Sequence, residues 1–206
     1  MRTASFRFMI IVTAALKGGV GKTTTSVYLA ALARASKRDT TLVDSDPQAS
    51  AADWVENSGD AQLEGISMVE APTERLLAKA LERIDVGEVA IVDTPPGNER
   101  LLAKAIDVAD CVVVPTRIGG VETNRVEAVL QMVPINIPLG LVICSARTFT
   151  RDYSDVVASW REAKVDVWGS VPERVAIASG PEAPLSLDGL DAYRPVWRRA
   201  TRSVRE

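Results

Sequence analysis

Three short stretches of this sequence carry residues able to act on a polyphosphate. The first is Leu16-Lys17-Gly18-Gly19-Val20-Gly21-Lys22-Thr23-Thr24, which follows an apolar run and precedes a segment of helical period. Three glycines within four positions let the backbone curl so that successive N–H groups face an anion. A helix beginning at Gly21–Lys22 adds the partial positive charge of its N-terminus. In such a loop Lys22 reaches the β- and γ-phosphates and the Thr23 hydroxyl is placed for Mg²⁺. The general spacing G-x-x-x-x-G-K-[ST] is not met in full, because its first glycine position is Leu16. The strand before, the helix after and Gly-Lys-Thr in register nonetheless read as a nucleotide-binding loop.

The second stretch, Leu42-Val43-Asp44-Ser45-Asp46-Pro47-Gln48, sets two aspartates at i and i+2 just past an apolar run. Hydrolysis of a phosphoanhydride needs a group that orients the attacking water and something that holds Mg²⁺. The third, Ala90-Ile91-Val92-Asp93-Thr94-Pro95-Pro96-Gly97, is an apolar run ending in a carboxylate. Alone, Asp93 could equally cap a following helix. Other chemistry is excluded by composition. There is no histidine, which removes His triads, His bases and His metal ligands. The two cysteines, Cys111 and Cys144, sit in apolar runs with no C-x-x-C, so disulfide scaffolds and the usual zinc spacings are out.

These residues need a scaffold, and the chain has one. Its 206 residues are 47% hydrophobic and 25% charged, ordinary for a globular protein with a substantial core. Buried strands are expected at Phe8–Ala14, Thr41–Val43, Val89–Val92, Cys111–Val114 and Leu139–Cys144, each short and apolar on both faces. Helices are expected at Thr23–Ala35, Ser50–Glu56, Glu74–Ile84, Glu99–Val108 and Val121–Met132. Strand–helix alternation of this kind predicts an α/β fold, a doubly wound and mostly parallel sheet with helices on both faces. Functional loops then lie at the carboxyl ends of the strands. No internal repeat or linker is evident, so 1–206 reads as a single domain. Pro172, Gly180, Pro181, Pro184 and Gly189 break the last quarter into loops before a final helix from Leu187 or Pro195. No apolar run approaches the roughly 20 residues of a membrane span, and Met1–Arg7 is too short for a cleaved signal peptide.

Taken together, K-G-G-x-G-K-T, D-x-D-P-Q and D-T-P-P-G resemble the deviant Walker A ATPases of the ParA/MinD family, and most of all its small, ParF-like partition members. That resemblance implies a P-loop ATPase that binds ATP and Mg²⁺. It implies that Lys17 reaches across an ATP-sandwich homodimer to the partner's phosphates, that Asp46 positions the water, and that Asp44 supports the metal or the phosphate loop. It further implies that Asp93 contacts Mg²⁺ through a water and that Gly97 lets its loop sense the γ-phosphate. Gly18, Gly19, Val20, Gly21, Lys22, Thr23 and Thr24 line the phosphates. Val171–Val175, with Pro172 and Glu173, and Ser179–Pro184 resemble the family's adenine-side loop. The implied partners are non-specific DNA and a ParB-like centromere-binding or adaptor protein that stimulates slow hydrolysis. The implied location is cytoplasmic and nucleoid-associated.

Relatives are separated by residue type. Cluster-bearing reductases need cysteines outside strands, and bacterial tyrosine kinases need a terminal tyrosine cluster where only Tyr193 is near. A MinD-like membrane helix needs more apolar face than Trp197, Ala200 and Val204 provide, so no membrane partner is expected. A metabolic P-loop enzyme would have no use for Lys17. With a net charge of −3, DNA contact must come from a local patch. One candidate set is Arg147, Arg151 and Arg174, in loops near the nucleotide edge. The other is Arg194, Arg198, Arg202 and Arg205, a stripe that is otherwise a solvated helix face. Trp54, Trp160, Trp168 and Trp197 read as packing residues. The cargo, plasmid or protein assembly, stays open.

Overall fold

The computed structural model describes residues 8–204. Its strands are β1 (Met9–Thr13), β2 (Thr40–Asp44), β3 (Ser67–Glu70), β4 (Val89–Asp93), β5 (Cys111–Thr116), β6 (Leu139–Ala146) and β7 (Val167–Pro172). They form one parallel sheet in the order β3-β2-β4-β1-β5-β6-β7. The helices are α1 (Lys22–Ala35), α2 (Ser50–Asn57), α3 (Glu74–Leu81), α4 (Glu99–Ile106), α5 (Gly120–Met132), α6 (Arg151–Glu162), α7 (Val175–Ala178) and α8 (Leu187–Ser203). The five expected strands and five expected helices are all present, and the doubly wound fold is as the sequence implies.

Alternation along β1 shows why its residues are apolar throughout. Met9 and Ile11 enter a core with α1, α2 and α8, built on Tyr28, Leu29, Trp54, Tyr193 and Trp197. Ile10 and Val12 enter the opposite core under α3, α4, α5 and α6, built on Leu77, Leu101, Ile106, Val129 and Trp160. All four tryptophans are buried, as packing residues should be. A strand covered on both faces has no polar side to show. Pro115 tolerates a place in β5 for a geometric reason. The Val112 N–H donates to Pro138 on the β6 side, so by alternation the nitrogen of Pro115 faces β1, beyond the last β1–β5 pair at Thr13 and Val113. No ladder bond is lost there.

The differences from expectation lie where burial is partial. β3 (S-M-V-E) and β7 (V-W-G-S-V-P) are edge strands with polar or small residues, and neither shows an apolar run. α6 was not expected because its sequence is mostly polar; Trp160 is its buried anchor, and the Thr150 hydroxyl accepts from the Tyr153 N–H to start it. α3 and α4 stop at Leu81 and Ile106, short of Ile84 and Val108. An internal repeat does exist. α3 reads E-R-L-L-A-K-A-L and α4 reads E-R-L-L-A-K-A-I, each opened by a side-chain cap, Thr73 or Asn98. The two sit side by side over the same core, and both place the second leucine of the pair and the second alanine, Ala80 or Ala105, inward.

The final helix is continuous from Leu187, with the Ser186 hydroxyl capping the Gly189 N–H, and it runs through Pro195. Pro195 is exposed, so the carbonyl it leaves without a helical donor faces water. The inner face of α8 carries Leu190, Tyr193, Val196, Trp197 and Ala200. Tyr193 stacks on Tyr28 of α1 with centroids 5.1 Å apart, and its hydroxyl is 3.0 Å from Thr25 Oγ1. The Trp197 indole N–H donates to Ser36 Oγ at 3.2 Å, at the far end of α1. Beneath this, Gly140 on β6 makes room for Trp168, whose Cδ2 would lie 1.9 Å from any Cβ placed there.

Candidate nucleotide site

The sheet's register assembles the site. Thr13 of β1 pairs with Asp93 of β4, and Asp93 pairs in turn with Asp44 of β2, so three strand ends fall on one rung. The chain order reverses about β1, which makes the carboxyl ends here the crevice of a doubly wound sheet. The glycine-rich loop leaves β1 at this point and enters α1. Gly21 is the helix N-cap at φ 101°, a conformation that L side chains rarely adopt, and a Cβ there would stand 3.0 Å from Cys144 Sγ. Both constraints demand glycine. Among the described residues no side-chain hydrogen bond caps α1 at Gly21, and its first N–H groups face the loop where an anion would lie.

Lys22 is buried at the start of α1, and its ammonium donates to the Lys17 carbonyl oxygen at 3.1 Å. Burial lowers its pKa, while Asp93 and Asp46 pull the other way. A buried ammonium with a carbonyl as its partner is poised for an anion. One residue on, the Thr23 hydroxyl donates to Asp93 Oδ2 at 2.8 Å, and Ser26 donates to Oδ1 at 3.0 Å. Because the Thr23 proton is committed to Asp93, its oxygen lone pairs remain for a cation. This is the donor arrangement that fits a nucleotide-bound Mg²⁺, with Asp93 behind the ligand rather than on the metal. Ser26 was not anticipated. It sits one turn beyond Thr23, and its i, i+3 spacing is the signal that would have found it.

Asp93 is fully buried. Burial, with Asp44 nearby, pushes its carboxyl up to about 7, against the hydrogen bonds of Thr23 and Ser26 and the charge of Lys22. The folded value lies above the unfolded one, so the stability Asp93 contributes is complete below pH 4 and is lost as pH rises through about 7. In metal-free, nucleotide-free protein, raising pH from 5 to 8 is expected to cost about 2–3 kcal/mol relative to Asp93→Asn. Thermal unfolding of both proteins at the two pH values tests this; parallel pH profiles would rule it out.

Asp44 has a structural job that its position in the sequence does not show. Its Oδ1 accepts from the Asp46 N–H at 3.0 Å, and its Oδ2 accepts from the N–H groups of Ala51 and Ala52 at 2.8 and 3.1 Å. It therefore caps the N-terminus of α2 and fixes the loop that carries Asp46. Asp46 is half-buried, with Oδ1 held by the Gln48 N–H at 3.0 Å. The Ser45 hydroxyl, bonded to the Asp93 carbonyl at 2.7 Å, ties the two acidic loops together. Lys17, Gly18 and Gly19 are exposed on the outer turn, while Val20 is buried beneath it.

A cavity of about 330 Å³ opens beside Gly21 and Thr24. Pro172, Glu173, Val175 and Ile177 form one wall and Cys144, Ser145 and Tyr193 another, with Arg117 also at the site. Pro172 and Glu173 thus line the cavity next to the phosphate loop. Arg117, Ser145 and Tyr193 were not singled out for this pocket. Arg117 follows the end of β5 and Ser145 is the last residue but one of β6, as pocket residues of this fold are placed, but Tyr193 arrives from α8 and has no local signal. Burial pushes the Cys144 thiol up to about 11, so it behaves as a packing group.

The basic candidates are arranged unequally. Arg147 pairs with Glu173 at 2.5 Å and Arg174 with Asp188 at 3.8 Å, all exposed. Arg151 is the first residue of α6 rather than a loop residue. On α8, Arg194, Arg198 and Arg202 lie on the exposed side of a continuous helix, Arg194 bonded to Asp191 at 2.8 Å. Arg205 lies outside the described residues. Among the described residues no helix is long and apolar enough to cross a membrane.

Comparison with known proteins agrees with this geometry. The family model of the CobQ/CobB/MinD/ParA nucleotide binding domain matches residues 11–186. Maintenance of carboxysome distribution protein A from Gloeobacter kilaueensis is 46% identical over 101 residues, 48% of this chain and 45% of the relative. Protein ParA from Rhizobium radiobacter is 33% identical over 125 residues, 60% of this chain and 55% of the relative. The chain thus spans about half the length of the curated relatives it matches. A putative plasmid partition protein from Borrelia burgdorferi B31, solved with AMPPNP, shares the fold with TM-score 0.73 at 18% identity, covering 94% of this chain and 98% of that one. McdA from Cyanothece, solved in an ATP complex, also has TM-score 0.73, at 16% identity, with 97% of each chain covered. The phosphate loop on β1, the acid behind Thr23 and the matched span of residues agree: the chain belongs to the CobQ/CobB/MinD/ParA nucleotide-binding family.

Proposed function

We propose that the protein is an Mg²⁺-dependent ATPase whose ATP-bound homodimer holds DNA without regard to sequence and positions a cargo on it. The observation that carries the nucleotide part is the Thr23–Asp93–Ser26 cluster set beside buried Lys22. Phosphate oxygens entering the loop take over the Lys22 ammonium from the Lys17 carbonyl. The backbone N–H groups at the start of α1 hold the β-phosphate, and Thr23 offers its oxygen lone pairs. The bound Mg²⁺ supplies neutralisation of charge on the transferring phosphoryl group. Asp46, oriented by the Gln48 N–H, accepts a hydrogen bond from the attacking water and aims it at the γ-phosphate. Lys17, exposed at the loop's outer turn, crosses to the partner protomer's phosphates, so hydrolysis and dimerisation share one residue.

For DNA, the α8 stripe is the better surface. Arg194, Arg198 and Arg202 form one exposed stripe on a single continuous helix, whereas Arg147, Arg151 and Arg174 stand on separate segments. One protomer's stripe is weak in a chain of net charge −3, and joining two stripes in a dimer raises the effective affinity. Binding is therefore expected only with ATP, to fall steeply with salt and to ignore sequence. The test is retention of a random duplex by Asp46→Ala protein with ATP, compared with Arg198→Glu/Arg202→Glu and Arg147→Glu/Arg174→Glu in the same background. Loss with the α8 pair supports DNA as the matrix; unchanged retention with both pairs removes it. The cargo reading that the identity favours is a protein assembly, since the 46% identical relative is a carboxysome-distribution protein. A plasmid is the alternative, and the gene next to this one discriminates them.

A further inference from the structure

At the end of the sheet away from the nucleotide, α3 and α4 part to leave an apolar groove of about 500 Å³. Its position follows from its residues. Glu82 and Asp107 are the C-caps of the two helices, and Asp110 accepts from the Ile10 N–H at 2.8 Å where β1 begins. α3 turns Glu74, Leu77, Ala78, Leu81 and Glu82 toward it, the i, i+3, i+4, i+7, i+8 stripe that ordinarily packs against another helix. Leu81 is half-buried and Ala78 exposed, so the stripe is incompletely covered.

Charge decides what fits. Among the described lining residues, Glu74, Glu82, Asp107 and Asp110 stand against the single cation Lys104, which is 3.6 Å from Asp107 in an exposed pair. The carboxyl ends of both helices also converge here, adding their partial negative charge. An acidic rim around an apolar floor complements a helix with leucine-like anchors and lysine or arginine flanks. We infer that this groove docks a cationic amphipathic helical segment of a partner protein. The site shares no residue with the phosphate loop or with α8. A partner held here leaves nucleotide, dimer face and arginine stripe open, which suits attachment of cargo rather than control of hydrolysis. The inference stands whether or not DNA is the matrix.

The experiment uses the full chain and a fluorescein-labelled synthetic helix of leucine and lysine, read by anisotropy. A scrambled peptide of the same composition and a leucine–glutamate helix are controls. Since the whole protein is acidic, charge alone must be separated from fit, which calls for two variants. Glu82→Lys/Asp107→Lys reverses the rim, and Ala78→Trp fills the groove from an exposed position without altering charge. Each is expected to weaken binding of the leucine–lysine helix by about tenfold or more, with unfolding temperature and ATP affinity unchanged. Equal binding of the scrambled peptide, or full binding by Ala78→Trp, would overturn the inference. Binding that appears only after residues 1–7 are deleted would give the groove to the chain's own start and overturn it as well.

Discussion

Lys22→Ala is expected to lose ATP affinity by about two to three orders of magnitude, from about 3–4 kcal/mol of charge-assisted contact to the β- and γ-phosphates. Isothermal calorimetry with Mg²⁺ and ATP measures it directly. The structure also says what should not happen. Burial already disfavours the Lys22 charge in the empty protein, and its ammonium meets a backbone carbonyl. Removing the ammonium therefore costs the empty protein little stability, and Lys22→Met, which keeps the stem, costs less still. A variant that folds as well as its parent yet fails to bind ATP isolates the phosphate contact. ATP affinity within about threefold of the parent, about 0.7 kcal/mol, would take Lys22 out of the site.

The second large effect separates the two residues proposed to act at the γ-phosphate, Asp46 and Lys17. Asp46→Ala is expected to bind ATP and dimerise but to lose turnover by about a hundredfold or more, the usual worth of a water-orienting group. It should accumulate as the closed dimer. Lys17→Ala keeps the Lys22 pocket and so binds nucleotide within one protomer, yet it neither dimerises with ATP nor hydrolyses it. Sedimentation with ATP, ADP and a non-hydrolysable analogue reads both outcomes together with turnover. Normal turnover by dimeric Lys17→Ala would return that lysine to the role of a solvated loop residue. Asp44→Ala behaves differently from either, because the three N–H groups it holds belong to the Asp46 loop and α2. Its loss is one of stability as well as rate.

What could be read from the residues alone follows burial and locality. β1, β2, β4, β5 and β6 are covered on both faces and therefore announce themselves as apolar runs; β3 and β7 are edges, half wet, and do not. The loop Lys17–Thr24 was legible because all its parts are consecutive and each residue type has one physical use. Asp93 was legible as a carboxylate at a strand end, but its partner Ser26 was not, since that contact joins positions 26 and 93 across the sheet register. The capping by Asp44 was hidden for the same reason: which N–H groups a carboxylate meets depends on how the chain returns at Ala51 and Ala52. The likeness of α3 and α4 lay in plain view at 74–81 and 99–106. Eight residues are too few to mark a repeat by period, and its meaning as two neighbouring walls emerges only when both helices lie on one face.

α8 bears on how sequence variation is distributed. The family pattern ends at residue 186, one position before this helix begins, yet the helix leans on α1 through Tyr193 and Trp197 and supplies a wall of the base-side cavity. Its inner face therefore answers to the interior, with a tyrosine ring stacked on a second one, and tolerates little change. Its outer face is exposed and can drift in charge from one descendant to the next. Two selective regimes run along opposing sides of a single rod. A lineage can rewrite the outer face while the nucleotide site stays intact, and excising the shared pattern alone would strip that site of its brace.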